Sequence, residues 1–197
     1  IPMVTSKMLD NNIGYVAVYE FEETTSEQFN QAIDELTAQG MKGLIIDLRD
    51  NPGGLVNSAT AILDRILTKD QLLVYTVDKN GKKQEEYTED DETINVPISV
   101  LINGNSASAS EIVSGCLQDY GKAKLVGTTS FGKGIVQYVL PLGDGSAIKL
   151  TSAKYYTPNG RNIHGTGIDP DVEVELNSDS ETDTQLEKAQ EIVLQEI

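Results

Sequence analysis

Twice along this chain a short apolar run ends in a tight polar loop and passes directly into a helix-patterned segment. The first unit is "GLIIDL" (43–48), "RDNPGG" (49–54) and a stripe of Val56, Ala59, Leu63, Ile66 and Leu67. The second is "ISVLI" (98–102), a serine-rich loop within "INGNSASASEIVSG" (102–115), and a stripe of Ala109, Ile112, Val113, Cys116 and Leu117. Largely apolar runs of this length suit strands covered on both faces, and the stripes supply the cover. Such units restrict the chain to layered α/β architecture. They also direct attention to the two loops, because α/β folds place their sites beyond the carboxyl ends of strands.

The remaining segments agree with that class. "IGYVAVYEF" (13–21) reads as a strand, and "TTSEQFNQAIDELTAQG" (24–40) as a helix with a Thr24–Glu27 capping box that stops at Gly40. Residues 72–88 read as a hairpin whose Asn80-Gly81 pair favours a type I′ turn. "EDDET" (89–93) reads as a solvated acidic loop, and "AKLVG" (123–127) as a strand. Two strands joined around Gly143-Asp144-Gly145 follow, then an irregular segment over 157–171 and a helix over 182–197. The hairpins make the expected sheet mixed, and residues 1–197 read as one domain.

Charge narrows the partners. With 15 Lys and Arg against 31 Asp and Glu, the net charge is −16, which repels nucleic acid and anionic membranes. No apolar run approaches the roughly 18 residues a membrane-spanning helix needs. The single cysteine, Cys116, has no intramolecular partner, so the chain is no disulfide-stapled module. Neither a metal nor a cofactor is expected.

Each loop has a bland and a chemical reading. In "RDNPGG", Gly53 and Gly54 let backbone approach a ligand, while the loop lacks the lysine and spacing of a phosphate-binding loop. Shaping a helix entry is the plainer role. In the serine loop, Ser108 and Glu111 match S-x-x-E, so Ser108 reads as a helix cap. The same position exposes its hydroxyl in the positive field of the helix start, where the Ala109 N–H can face an oxyanion. A nucleophilic Ser108 needs a base. His164 is the only histidine, and nothing local orients it. Lys133, between Gly132 and Gly134 and ahead of a β-branched strand, is the other candidate. Burial favours the neutral amine that could take a serine proton. Gln137 lies four residues on, about 13 Å away along a straight strand, so it reaches Lys133 only if the chain bends.

"GLIIDLRDNPGG", "NGNSASASEIVSGCLQD", "LVGTTSFGKGIVQ" and "IKLTSAKYYTPNGRNIHGTGIDPDVEVE" occur in that order. Together they closely resemble the carboxyl-terminal processing, or tail-specific, proteases. The resemblance implies a mixed β-sheet core of ββα units, a spiral like the crotonase and ClpP folds, with flanking helices and hairpins. It implies a serine peptidase acting on protein or peptide substrates, with Ser108 as nucleophile, Lys133 as general base and Gln137 assisting. Ala109 and Gly54, or its neighbour Gly53, match the backbone donors of the oxyanion hole. His164 falls in a family motif without a catalytic role. The resemblance further implies an extracytoplasmic location, and dimers are common in such folds, so a homo-oligomer is compatible. The family usually carries a PDZ domain, and no segment of this chain reads as one. Two rival readings remain: a latent peptide-binding module with the same core, and a crotonase-like acyl-thioester enzyme. The chain's acidity offers the latter no obvious basic site for coenzyme A phosphates.

Overall fold

The structure, a computed structural model, describes residues 2–91, 93–176 and 182–197. Glu92, part of the acidic loop read from the sequence, lies outside them. Its frame is a six-stranded sheet in the order β1-β2-β3-β6-β7-β10. The strands are β1 (Val4–Leu9), β2 (Ile13–Val18), β3 (Gly43–Asp47), β6 (Ile98–Ile102), β7 (Ala123–Gly127) and β10 (Val172–Glu173). β1 runs antiparallel to β2, and every other neighbouring pair is parallel. α1 (Thr25–Ala38), α2 (Val56–Asp64) and α3 (Ala109–Asp119) lie in the connections from β2 to β3, β3 to β6 and β6 to β7.

All five residues of β3 and all five of β6 are buried. Their side chains alternate between the two faces, as the period of two requires. Leu44, Ile46, Val100, Ile102 and Leu125 join the larger core with residues of α1, α2 and α3. Ile13, Ile45, Leu101 and Val126 meet Ala189 and Val193 of α4 (Thr184–Glu196) on the other face. A Cβ on Gly43 would stand 2.2 Å from Val193 Cγ1, so glycine there lets α4 close on the sheet.

A second, antiparallel sheet has the order β5-β4-β9-β8. It comprises β4 (Leu72–Asp78), β5 (Lys83–Tyr87), β8 (Ile135–Pro141) and β9 (Ala147–Tyr156). The mixed α/β class and the hairpins expected from the sequence are thus present.

Two local expectations are corrected. The Thr24 side chain makes no cap hydrogen bond; Thr25 Oγ1 instead accepts from the Glu22 N–H at 2.9 Å and donates to the Glu20 carbonyl. The Asn80-Gly81 turn is not type I′, because only Gly81 has positive φ and type I′ needs it at both central residues. Asp78 Oδ1 accepts from the N–H groups of Asn80 and Lys82, which fixes a three-residue loop instead. Strands β1 and β10 had no sequence signal strong enough to be named.

Candidate active site

The loops after β3 and β6 lie side by side because these strands are parallel neighbours. They are stitched together along their length. Ser106 Oγ donates to the Leu48 carbonyl at 2.7 Å, and the Ala107 N–H and Ser110 Oγ both donate to the Asn51 carbonyl at 3.0 Å. Asp50 accepts from the side-chain amides of Asn103 and Asn105 at 3.0 and 2.8 Å. Those two amides, Asn105 foremost, hold the Asp50 carboxyl below the usual carboxylate range.

Ser108 ends the second loop with φ 55° and ψ −113°, a positive-φ conformation outside the helical and extended regions that a serine adopts only under local constraint. Its side chain is half-buried at the start of α3. Gly53, with φ 105°, backs directly onto it: a Cβ there would meet Ser108 Cβ at 2.7 Å and Ala109 N at 3.0 Å. The Gly53 N–H donates to Asn51 Oδ1 at 2.9 Å. Among the described residues, the N–H groups of Gly54 and Ala109 donate to no protein acceptor. Of the two glycines, Gly54 is therefore the one whose N–H is free.

Lys133 arrives from the segment before β8 and is half-buried. The Phe131 N–H donates to the Ser106 carbonyl at 3.0 Å, which brings this segment against the serine loop. A Cβ on Gly134 would meet the His164 nitrogen at 2.7 Å, so the family-like segment 163–167 packs on the lysine turn through backbone. His164 itself is exposed. Among the described residues, no hydrogen bond joins Lys133 Nζ to Ser108 Oγ. Gln137 sits one step past a bulge between Val136 and Gln137, the bend its reach toward Lys133 would require. In this structure its Nε2 donates to Thr151 Oγ1 at 3.3 Å.

Two residues central to this arrangement do more than the sequence indicates. Asn51 is fully buried; its Nδ2 donates to the Val18 carbonyl at 2.8 Å while Oδ1 holds Gly53. Glu111, also fully buried, accepts from the N–H groups of Ser108, Gly132 and Lys133 and from Ser130 Oγ. S-x-x-E signalled only the first of these contacts. On the outer side, Arg49 pairs with Asp47 at 2.6 Å and with Asp183 at 2.8 Å, tying the glycine loop to the N-terminus of α4. A groove of about 870 Å³ runs along the second sheet past Val136, Leu140, Leu150 and Val74 to Val56 of α2. Ser108 and Lys133 are not part of its wall.

A parallel sheet whose neighbouring strands end in a glycine loop and a strained serine, with a lysine turn packed against the serine loop, is the frame of a peptidase class. Residues 12–174 match Peptidase family S41, and the chain belongs to that family. It is 43% identical over 168 residues to the carboxy-terminal processing protease CtpB of Bacillus subtilis, covering 85% of this chain and 35% of that protein. It is 44% identical over 176 residues to the carboxy-terminal-processing protease of Bartonella bacilliformis, covering 85% and 40%. The solved photosystem II D1 C-terminal processing protease superposes with a TM-score of 0.78 at 32% identity, covering 97% of this chain and 52% of that one. The chain therefore spans well under half the length of these curated relatives. Among the described residues no helix is long and apolar enough to cross a membrane.

Proposed function

We propose that this chain is the catalytic core of a carboxyl-terminal processing peptidase, a single domain that cuts unfolded or tail segments of proteins by a serine–lysine route. Lys133, as the free amine, takes the proton from Ser108 Oγ, and the oxygen attacks a peptide carbonyl carbon. The Ala109 and Gly54 N–H groups hold the resulting oxyanion. The Lys133 ammonium then gives its proton to the leaving amine, and water hydrolyses the acyl-enzyme. Gln137 orients Lys133 during turnover. Export from the cytoplasm belongs to the same reading, on the family resemblance, and cell fractionation that finds the protein in the cytosol would refute it.

One observation carries the mechanism. Ser108 is held at positive φ with Gly53 packed against its Cβ, and the N–H groups of Ala109 and of Gly54, the next residue after Gly53, have no protein acceptor among the described residues. The free Ala109 N–H belongs to any helix start, but a cap needs neither the positive φ nor a free N–H in the glycine loop. The test is digestion of casein by the purified chain beside Ser108→Ala, with fragments followed by mass spectrometry. Fragments from the unsubstituted chain alone support the reading, and equal digestion by both defeats it.

A specific observation favours a second reading, a latent form that holds peptide without cutting. Gln137 bonds Thr151, and Lys133 Nζ makes no hydrogen bond to Ser108 Oγ. Peptide binding by a chain that releases no fragments supports that form.

A further inference from the structure

We propose that Glu111 is a positioning residue that sets nucleophile and base in one frame, an inference that rests on the serine–lysine reading above. Its two oxygens divide the work. Oε2 accepts from the Ser108 N–H at 2.9 Å and from the Lys133 N–H at 2.8 Å. Oε1 accepts from the Gly132 N–H at 2.7 Å and from Ser130 Oγ at 2.5 Å. One oxygen therefore joins the backbone of both reacting residues, and their nitrogens lie no farther apart than those two hydrogen bonds laid end to end.

Helix capping does not account for this set. A capping box needs only the Ser108 contact, and the other three partners lie 19 to 22 residues further along. Nor is Glu111 an ordinary ion pair, since its four partners are three backbone N–H groups and a hydroxyl. A fully buried carboxylate is costly to keep unless hydrogen bonds replace its water, and here they do so from two chain segments at once. The clamp extends one step further: the Ile168 N–H donates to Ser130 Oγ at 2.7 Å, so the segment packed on the lysine turn is tied to the same group. Backbone contacts of this kind fix Cα positions, while Ser108 Oγ and Lys133 Nζ remain outside the clamp's hydrogen bonds. Glu111 thus acts on the distance between the reacting groups without touching substrate.

The test uses the whole chain, with Glu111→Gln as a shape-preserving change and Ser130→Ala as a milder one in case the first does not fold. Two readouts are taken: kcat and KM on a peptide substrate, and amide hydrogen exchange of residues 105–111 and 130–134. Glu111→Gln is expected to lower kcat by about 100-fold with KM changed by less than about threefold, as a misplaced but intact pair of groups would. Exchange in both segments should rise together, and Ser130→Ala should show the same pattern more weakly. A folded Glu111→Gln with unchanged kcat, or with exchange raised in only one segment, overturns the proposal. If Glu111→Gln does not fold, Ser130→Ala decides by the same criteria. A wild-type chain that does not cleave refutes the peptidase reading instead, and exchange alone then decides whether the clamp couples the two segments.

Discussion

Gly53 and Ser108 touch back to back: a Cβ on the glycine would stand 2.7 Å from the serine Cβ. The contact is between a main chain at φ 105° and the first carbon of the candidate nucleophile, so neither can yield by rotating a side chain. Gly53→Ala is expected to cost roughly 1–3 kcal/mol for its backbone conformation alone. The clash adds to this and displaces Ser108. Thermal melting should show the lower stability, and cleavage should fall more steeply than the folded fraction does.

Asn51 supports the same loop from beneath. Asn51→Ala leaves the Val18 carbonyl and the Gly53 N–H without their side-chain partner in a buried site. Each orphaned group costs about 1–3 kcal/mol. Denaturant titration measures the loss; a variant within experimental error of wild type would show that the loop holds its shape without this residue.

Lys133 and Gln137 should separate in a substitution series. Lys133→Ala is expected to abolish cleavage together with Ser108→Ala. Gln137→Ala leaves the base and nucleophile in place and removes the hydrogen bond that, on the reading above, orients Lys133 during turnover, so a loss of about tenfold is expected, the scale of one uncharged hydrogen bond. Equal losses from Lys133→Ala and Gln137→Ala would place the glutamine in direct partnership with the reacting groups.

Stability should fall in acid with a definite sign. Burial opposes ionisation of Asp183, but its hydrogen bond to Arg49, with help from the Leu186 N–H, outweighs this and holds the carboxyl below its usual range. Asp50 is lowered in the same direction by Asn105 and Asn103. A carboxylate lowered in the fold stabilises fully above its unfolded value, about 3.9, and that contribution is lost as pH falls through the lower folded value. Urea midpoints should therefore be flat in mildly acidic buffer and drop below about pH 4. Asp183→Asn should flatten part of that drop; an unchanged profile would mean the Arg49 pair does not couple α4 to folding.

The two strand–loop–helix units were legible in sequence because their signals are local. β3 and β6 are largely apolar runs, and the stripes of α2 and α3 repeat at helical spacing. β10 is two residues long and carries no period, so nothing in its sequence could name it. At Thr24 and Asn80 competing local hydrogen bonds, from Thr25 and to Asp78, displaced the expected ones. Glu111 was visible as the fourth residue of S-x-x-E, but its partners at Ser130, Gly132 and Lys133 come from another part of the chain. Arg49 and Asp183 are 134 positions apart, and no periodicity records that pairing.

The order of these parts along the chain has a consequence in time. The glycine loop, Ser108 and Glu111 are all made before Lys133, and the segment 163–168 that backs the lysine turn comes later still. At about 5–20 residues per second, a growing chain holds its serine for several seconds before its base has a place to sit. On the reading proposed above, the emerging polypeptide cannot attack itself or its neighbours: its reactivity begins only when the end of the fold is synthesised and closes over the beginning.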